Sequence, residues 1–91
     1  MRTFSRTSQF KKDVKRAVKR GRDVSRLRAV VELLIDGDVL PPQYKDHPLR
    51  GEYAGSRDCH IEPDWLLIYT LAEGETHVRF ERTGTPSDLF R

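Results

Sequence analysis

Apolar residues recur at helical spacing in two stretches near the N-terminus and at strand spacing in most of the remainder. Phe10, Val14, Ala17 and Val18 fall on one face of a helix, while Lys11, Lys12, Lys15, Arg16, Lys19 and Arg20 cover the rest. Thr7 or Ser8 is placed to cap its start, and Gly21 to end it in left-handed backbone. A second stripe, Leu27, Val30, Val31, Leu34 and Ile35, opens at Asp23 or Ser25 and closes at Gly37. The link between the two is very short, which predicts an antiparallel helical hairpin. Ahead of it, residues 2–7 alternate mildly and read as a first strand. Behind it, Pro41-Pro42 forbids further helix and opens a loop expected to run through His47 to about Gly51.

The later residues change period from helical to alternating. Residues 56–62 place Cys59 and Ile61 on one side of a strand and Asp58, His60 and Glu62 on the other. Pro63-Asp64 is turn chemistry. Residues 65–71, Trp-Leu-Leu-Ile-Tyr-Thr-Leu, form a nearly unbroken apolar run, as in a central strand covered on both faces. After a turn at Glu73-Gly74-Glu75, residues 76–83 read as a last strand that Gly84 ends, and Ser87 to Phe90 as a tail of about one helical turn. The predicted order β-α-α-β-β-β is a single α+β domain over residues 1–91, a helical hairpin on one face of a mainly antiparallel sheet.

Charge sharpens this picture. The formal net charge is +3, but residues 1–28 hold 11 Lys/Arg against two acids, and the acidic excess lies downstream. One-sided basic charge fits a polyanion, either nucleic acid or an acidic protein. A lone cysteine, Cys59, allows no internal disulfide and no zinc-ligand spacing, which suits a reducing cytoplasm. No apolar run approaches membrane-spanning length and the first residues lack a signal-peptide core, so no membrane partner is expected. Walker, dinucleotide-binding and nucleophile-elbow patterns are all missing from the sequence. Neither a cofactor nor a metal is therefore expected.

What the chain does carry is a set of groups able to cleave RNA without a metal. The 2′-OH must lose a proton, the 5′-oxygen must gain one, and the charge on the phosphorane must be stabilised. Imidazole suits the proton steps and guanidinium the charge. His60 shares the polar side of its strand with Asp58 and Glu62, and is expected to be accessible. His47 lies in the loop between hairpin and sheet. Asp64, at the turn, either orients a histidine, accepts the 2′-OH proton, or closes an Asx-turn. Strict alternation puts Arg82 on the side of Val78 and Phe80, so it either leans out at the strand end or is held beneath a site. Trp65 reads as core or as a contact beside the site, and Phe90 as a stacking surface for a base. His77 reads as a solvent-face residue outside the set.

Taken together, Phe10-Lys11-Lys12-Asp13-Val14, Tyr44-Lys45-Asp46-His47-Pro48-Leu49, the run from Arg57 through His60, Glu62-Pro63-Asp64-Trp65 to Tyr69, and Phe80-Glu81-Arg82-Thr83-Gly84-Thr85 closely resemble the YafQ branch of the RelE/ParE toxin superfamily. The resemblance spans essentially the whole chain. It implies the RelE-like microbial ribonuclease fold and a toxin of a type II toxin–antitoxin system. Such a toxin is a metal-free endoribonuclease that cleaves mRNA in the ribosomal A site and inhibits translation. By that resemblance His47, His60 and Asp64 serve the proton transfers, Arg82 steadies the phosphate, and Phe90 orients the nucleotide, with Trp65 beside them. Lys11, Lys12, Lys15, Arg16, Lys19 and Arg20 would hold ribosomal RNA. The implied partners are the 70S ribosome with its rRNA and mRNA, and a cognate acidic antitoxin of the RelB/DinJ type. The chain departs from the family at Pro86, where a histidine is usual. Proline can neither transfer a proton nor donate a hydrogen bond. Either His47 and His60 suffice, or the chain is an attenuated toxin that acts on the ribosome, or on gyrase like ParE relatives, without cleavage.

Overall fold

In a computed structural model that describes residues 1–90, the elements are β1 (Thr3–Arg6), α1 (Ser8–Lys19), α2 (Val24–Asp36), β2 (His47–Pro48), β3 (Arg57–Glu62), β4 (Trp65–Ala72), β5 (His77–Gly84) and α3 (Pro86–Leu89). They form an α+β fold around a five-stranded sheet of order β1-β5-β4-β3-β2. The sheet is antiparallel except where β1 pairs in parallel with β5.

The helix boundaries follow local chemistry. Thr7 caps α1 by accepting from the Phe10 amide, and Asp23 caps α2 by accepting from the Ser25 amide. Gly37 closes α2 at φ 84°, a conformation an L side chain resists. Phe10, Ala17, Leu27, Val30 and Leu34 pack with Trp65, Leu67, Tyr69, Val78 and Phe80, so the helices cover one face of the sheet. Val18, expected on the apolar face of α1, is exposed. The opposite face carries a smaller cluster, Leu66 and Ile68 beneath Leu89, flanked by Leu49 and Tyr53. The Trp65–Tyr69 run is thus buried on both sides, each large apolar side chain contributing roughly 1.5–3 kcal/mol.

Two details depart from the sequence reading. The segment expected to be loop contains a short strand, His47–Pro48, that pairs with β3. It is flanked by 3-10 turns at Pro42–Tyr44 and Gly51–Tyr53. The alternation of β5 is also broken. Tyr69 pairs with Phe80 but Ile68 with Arg82, leaving Glu81 as an extra residue. This bulge changes the phase of the strand, so Arg82 does not share the side of Val78 and Phe80.

Candidate active site

The register of the sheet assembles a row of side chains on the face away from α1 and α2. His47 on β2 stands opposite Asp58 on β3, Asp58 opposite Ile68 on β4, and Ile68 opposite Arg82 on β5. Residues directly opposite one another point to the same face. His60, two residues beyond Asp58 and paired with Leu66, shares that face. Adjacent strands lie about 4.8 Å apart, so β3 and β5 are separated by roughly 10 Å. Side chains reaching inward from both strands can meet a phosphate within that gap.

Both site histidines have their tautomer set by a backbone carbonyl. His47 Nδ1 lies 2.8 Å from the Lys45 carbonyl oxygen, and His60 Nδ1 lies 3.3 Å from that of Pro63. A carbonyl oxygen only accepts, so each Nδ1 carries the proton and donates it. Each Nε2 is left as the reactive nitrogen. The loop that delivers His47 is anchored beneath the sheet. Asp46 accepts hydrogen bonds from the Tyr69 hydroxyl at 2.6 Å and from Arg57 Nε at 3.2 Å. Burial and the Asp46 carboxylate push the Tyr69 phenol far above its ordinary range, so it remains a donor.

Asp58 is the member of the row that sequence reasoning left without a role. It is 3% exposed, and its Oδ1 has no hydrogen-bond partner among the described residues. His47 Nδ1 is 3.4 Å from that oxygen but spends its proton on Lys45. Burial raises the Asp58 carboxyl above the usual range, and the nearby His47 and His60 partly oppose the rise. The available signal was the alternation that set Asp58 beside His60 on one side of the strand.

Arg82 enters from the other end of the row. Its Nε donates to Asp13 Oδ2 at 2.8 Å and its Nη2 to Asp13 Oδ1 at 3.2 Å. The Asp13 hydrogen bond, outweighing burial, holds the guanidinium firmly charged, and the Tyr53 hydroxyl adds to the effect. Tyr53 in turn meets Phe90 edge-on, ring centroids 5.8 Å apart. Phe90, 44% exposed, therefore stands at the same face as Arg82, at the end of a helix fixed by a Thr85–Asp88 capping box. Nothing in the sequence pattern pointed to Tyr53.

Other expected members sit apart from the row. Asp64 is 69% exposed, and its carboxylate is gripped by both Nη atoms of Arg22, each at 3.1 Å, not by a histidine. That Arg22 hydrogen bond holds the Asp64 carboxyl below its ordinary range. Of the two readings of Trp65, core or a contact beside the site where RNA would lie, the structure has the core one. It is 1% exposed, its indole N–H donates to Thr83 Oγ1 at 2.9 Å, and Arg22 lies over its ring. On α1, Lys11, Lys12, Lys15 and Lys19 are exposed and form no ion pair among the described residues. Arg16 and Arg20 are instead engaged, Arg16 with Asp13 at 3.1 Å and Arg20 with Asp88 at 2.7 Å. His77 bridges Thr3 Oγ1 and Ser5 Oγ on the neighbouring strand and belongs to the β1–β5 pairing. No helix among the described residues is long and apolar enough to cross a membrane.

The fold has close counterparts. The family of bacterial YafQ toxins of type II toxin–antitoxin systems matches residues 2–91. The mRNA interferase toxin YafQ of Escherichia coli strain K12 is 49% identical over 90 residues, covering 98% of this chain and 96% of the relative. The crystal structure of YafQ from E. coli strain BL21(DE3) superposes with a TM-score of 0.93 at 48% identity, each chain covered completely. The toxin in the E. coli DinJ–YafQ complex superposes at 0.91, with the same identity and coverage. The chain belongs to the YafQ toxin family.

Proposed function

From that membership and the row of His47, Asp58 and Arg82 with His60 on one sheet face, we propose that the chain is a ribosome-dependent endoribonuclease. It enters the A site, cleaves mRNA and so inhibits translation. The observation that carries the reading is the cross-strand register, which brings two imidazoles and a guanidinium from three strands to one surface.

The chemistry follows from the groups. One imidazole Nε2 takes the proton of the ribose 2′-OH as that oxygen attacks the adjacent phosphorus. The other gives its proton to the departing 5′-oxygen as the P–O bond breaks. The products are a 2′,3′-cyclic phosphate and a 5′-hydroxyl. Arg82 faces the phosphate, where its fixed charge offsets the charge that builds on the non-bridging oxygens. Asp58, buried between the two imidazole positions, holds negative charge where an imidazolium forms. Asp64, kept ionised by Arg22, lies apart from the row and takes neither proton. Phe90, steadied by Tyr53, stacks on a base. Pro86 begins α3 and contributes no proton, so both transfers fall to His47 and His60. The four free lysines of α1 grip ribosomal RNA. The same basic surface attracts a cognate acidic antitoxin, as DinJ partners the E. coli toxin, in the cytoplasm where translation occurs.

The test is a coupled translation reaction on end-labelled mRNA, comparing wild type with Arg82→Ala and Pro86→His. Wild type is expected to cleave within the A-site codon and leave the ends named above, and Arg82→Ala to lose roughly 100-fold or more in rate. Cleavage of equal rate in Arg82→Ala would sink the assignment. Translation arrest with full-length message would replace the nuclease with a ribosome-binding toxin.

A further inference from the structure

We infer that Asp13, on α1, is a positioning residue for Arg82: its buried carboxylate fixes the direction of the guanidinium and thereby where the scissile phosphate is held. The inference rests on the reading of Arg82 as the phosphate-binding group.

Asp13 is 2% exposed in a helix whose other polar residues face water. Its carboxylate accepts five hydrogen bonds, from Arg82 Nε, Arg82 Nη2, the Thr83 amide, Arg16 Nη2 and Gln9 Nε2, all between 2.8 and 3.2 Å. Two separate tasks are visible. Where β5 runs beyond its pairing with β1, which ends at Phe80, the Thr83 amide points to an edge with no strand, and Asp13 Oδ2 receives it. That bond alone would close the edge. The side-on grip of Arg82 through Nε and Nη2 is additional and has a geometric consequence. A guanidinium clamped along one edge cannot turn about its last torsion, and its Nη1 side is presented in one direction.

The clamp is itself held rigid. Oδ2 is tied to the β5 backbone, and Oδ1 to Arg16 and Gln9 on the same helix, so the carboxylate cannot rotate without breaking several bonds at once. The Glu81 bulge is what turns Arg82 to this position, and the Tyr53 hydroxyl also acts on its guanidinium. A donor fork already aimed before substrate arrives meets the transition state with little ordering left to do. Without Asp13, Arg82 keeps its charge but loses its aim.

The test compares wild type, Asp13→Asn, Arg82→Ala and the double variant in single-turnover cleavage on programmed ribosomes. Ribosome affinity is measured separately, and the arginine Nε–H signals are followed by NMR in the free protein. Asparagine retains an acceptor for the Thr83 amide, so folding is expected to persist, and thermal denaturation checks it. Asp13→Asn should slow cleavage about 10–100-fold, the range for partners that orient a functional group. Ribosome affinity should change by less than about threefold, because the loss is confined to the transition state. The Arg82 Nε–H signal, slow to exchange in wild type, should exchange rapidly in the variant. The double variant should be no slower than Arg82→Ala, since Asp13 acts through Arg82. An unchanged Nε–H exchange rate, or losses that multiply in the double variant, would overturn the inference. If wild type itself cleaves nothing, the nuclease reading fails, while the Nε–H comparison still decides whether Asp13 aims Arg82.

Discussion

Two buried aspartates, Asp13 on α1 behind the Arg82 end of the row and Asp58 within the row, have opposite surroundings. Asp13 takes five hydrogen bonds from two arginines, a glutamine and a backbone amide. Asp58 is as deeply buried, yet one of its oxygens has no hydrogen-bond partner among the described residues. Burying a carboxylate is costly unless donors replace the lost water. The first aspartate is therefore compensated within the fold, and the second is left to be compensated by charge that appears in the site. In this molecule Asp13 is where stability and aim coincide, and Asp58 is where stability is given up.

The largest effect should come from breaking the compensated centre. Asp13→Ala removes the acceptor for five donors, two of them on Arg82 and one a buried amide. Removing one partner of a buried ion pair costs about 3–5 kcal/mol. For a domain of this size each kcal/mol shifts Tm by roughly 4–8 °C, so the midpoint should fall by roughly 12 °C or more. Thermal denaturation followed by circular dichroism measures it. A fall of only a few degrees would mean the Asp13 network contributes little, and the contrast with Asp58 would collapse.

Asp58→Asn should move stability the other way. The folded carboxyl lies above its unfolded value because it is buried. Between those two values the folded state binds the proton more tightly than the unfolded chain does. Stability therefore falls as pH rises through that window, and the full cost is present above the folded value. Asparagine removes the ionisation and with it the cost. The variant should gain about 1 kcal/mol at pH 7, with the advantage disappearing in acid, while cleavage slows about tenfold or more. Denaturant titrations at pH 3 and pH 7 read the first part and single-turnover cleavage the second. A variant that is less stable at pH 7 would show that Asp58 is satisfied after all.

The same contrast explains what was legible in the sequence. Features set by neighbouring residues were readable: the Thr7 and Asp23 caps, the left-handed Gly37, and the two-sided burial of Trp65 to Tyr69. Features set by distant partners were not. Asp13 stands among lysines and looks like one more solvated residue, because its principal partner, Arg82, is 69 positions away. His47 looked like loop because a two-residue strand has no period to detect. Arg82 was placed on the wrong side of its strand by strict alternation, since a single inserted residue at Glu81 changes every position after it. Most of the candidate residues were identifiable by type. Their common face was not, because the register and the bulge create it.

Asp88 refines the comparison, being compensated like Asp13 but at the edge of the molecule. It accepts from the Thr85 amide in a capping box and pairs with Arg20 at 2.7 Å and more loosely with Arg16 at 3.8 Å. The Arg20 hydrogen bond holds its carboxyl far below the usual range. A lowered folded value means stability that is present above the unfolded value and lost as pH falls toward the folded one. Loss of such a cap costs roughly 1 kcal/mol, so Asp88→Ala should lower stability by about that amount at pH 7 and by progressively less below pH ~4. Because α3 carries Phe90, the same change should weaken cleavage a few-fold by loosening the ring that meets Tyr53. Stability curves across pH and cleavage rates test both halves. If cleavage is unaffected while stability falls, α3 helps hold the fold but does not aim Phe90, and the coupling of compensation to aim belongs to Asp13 alone.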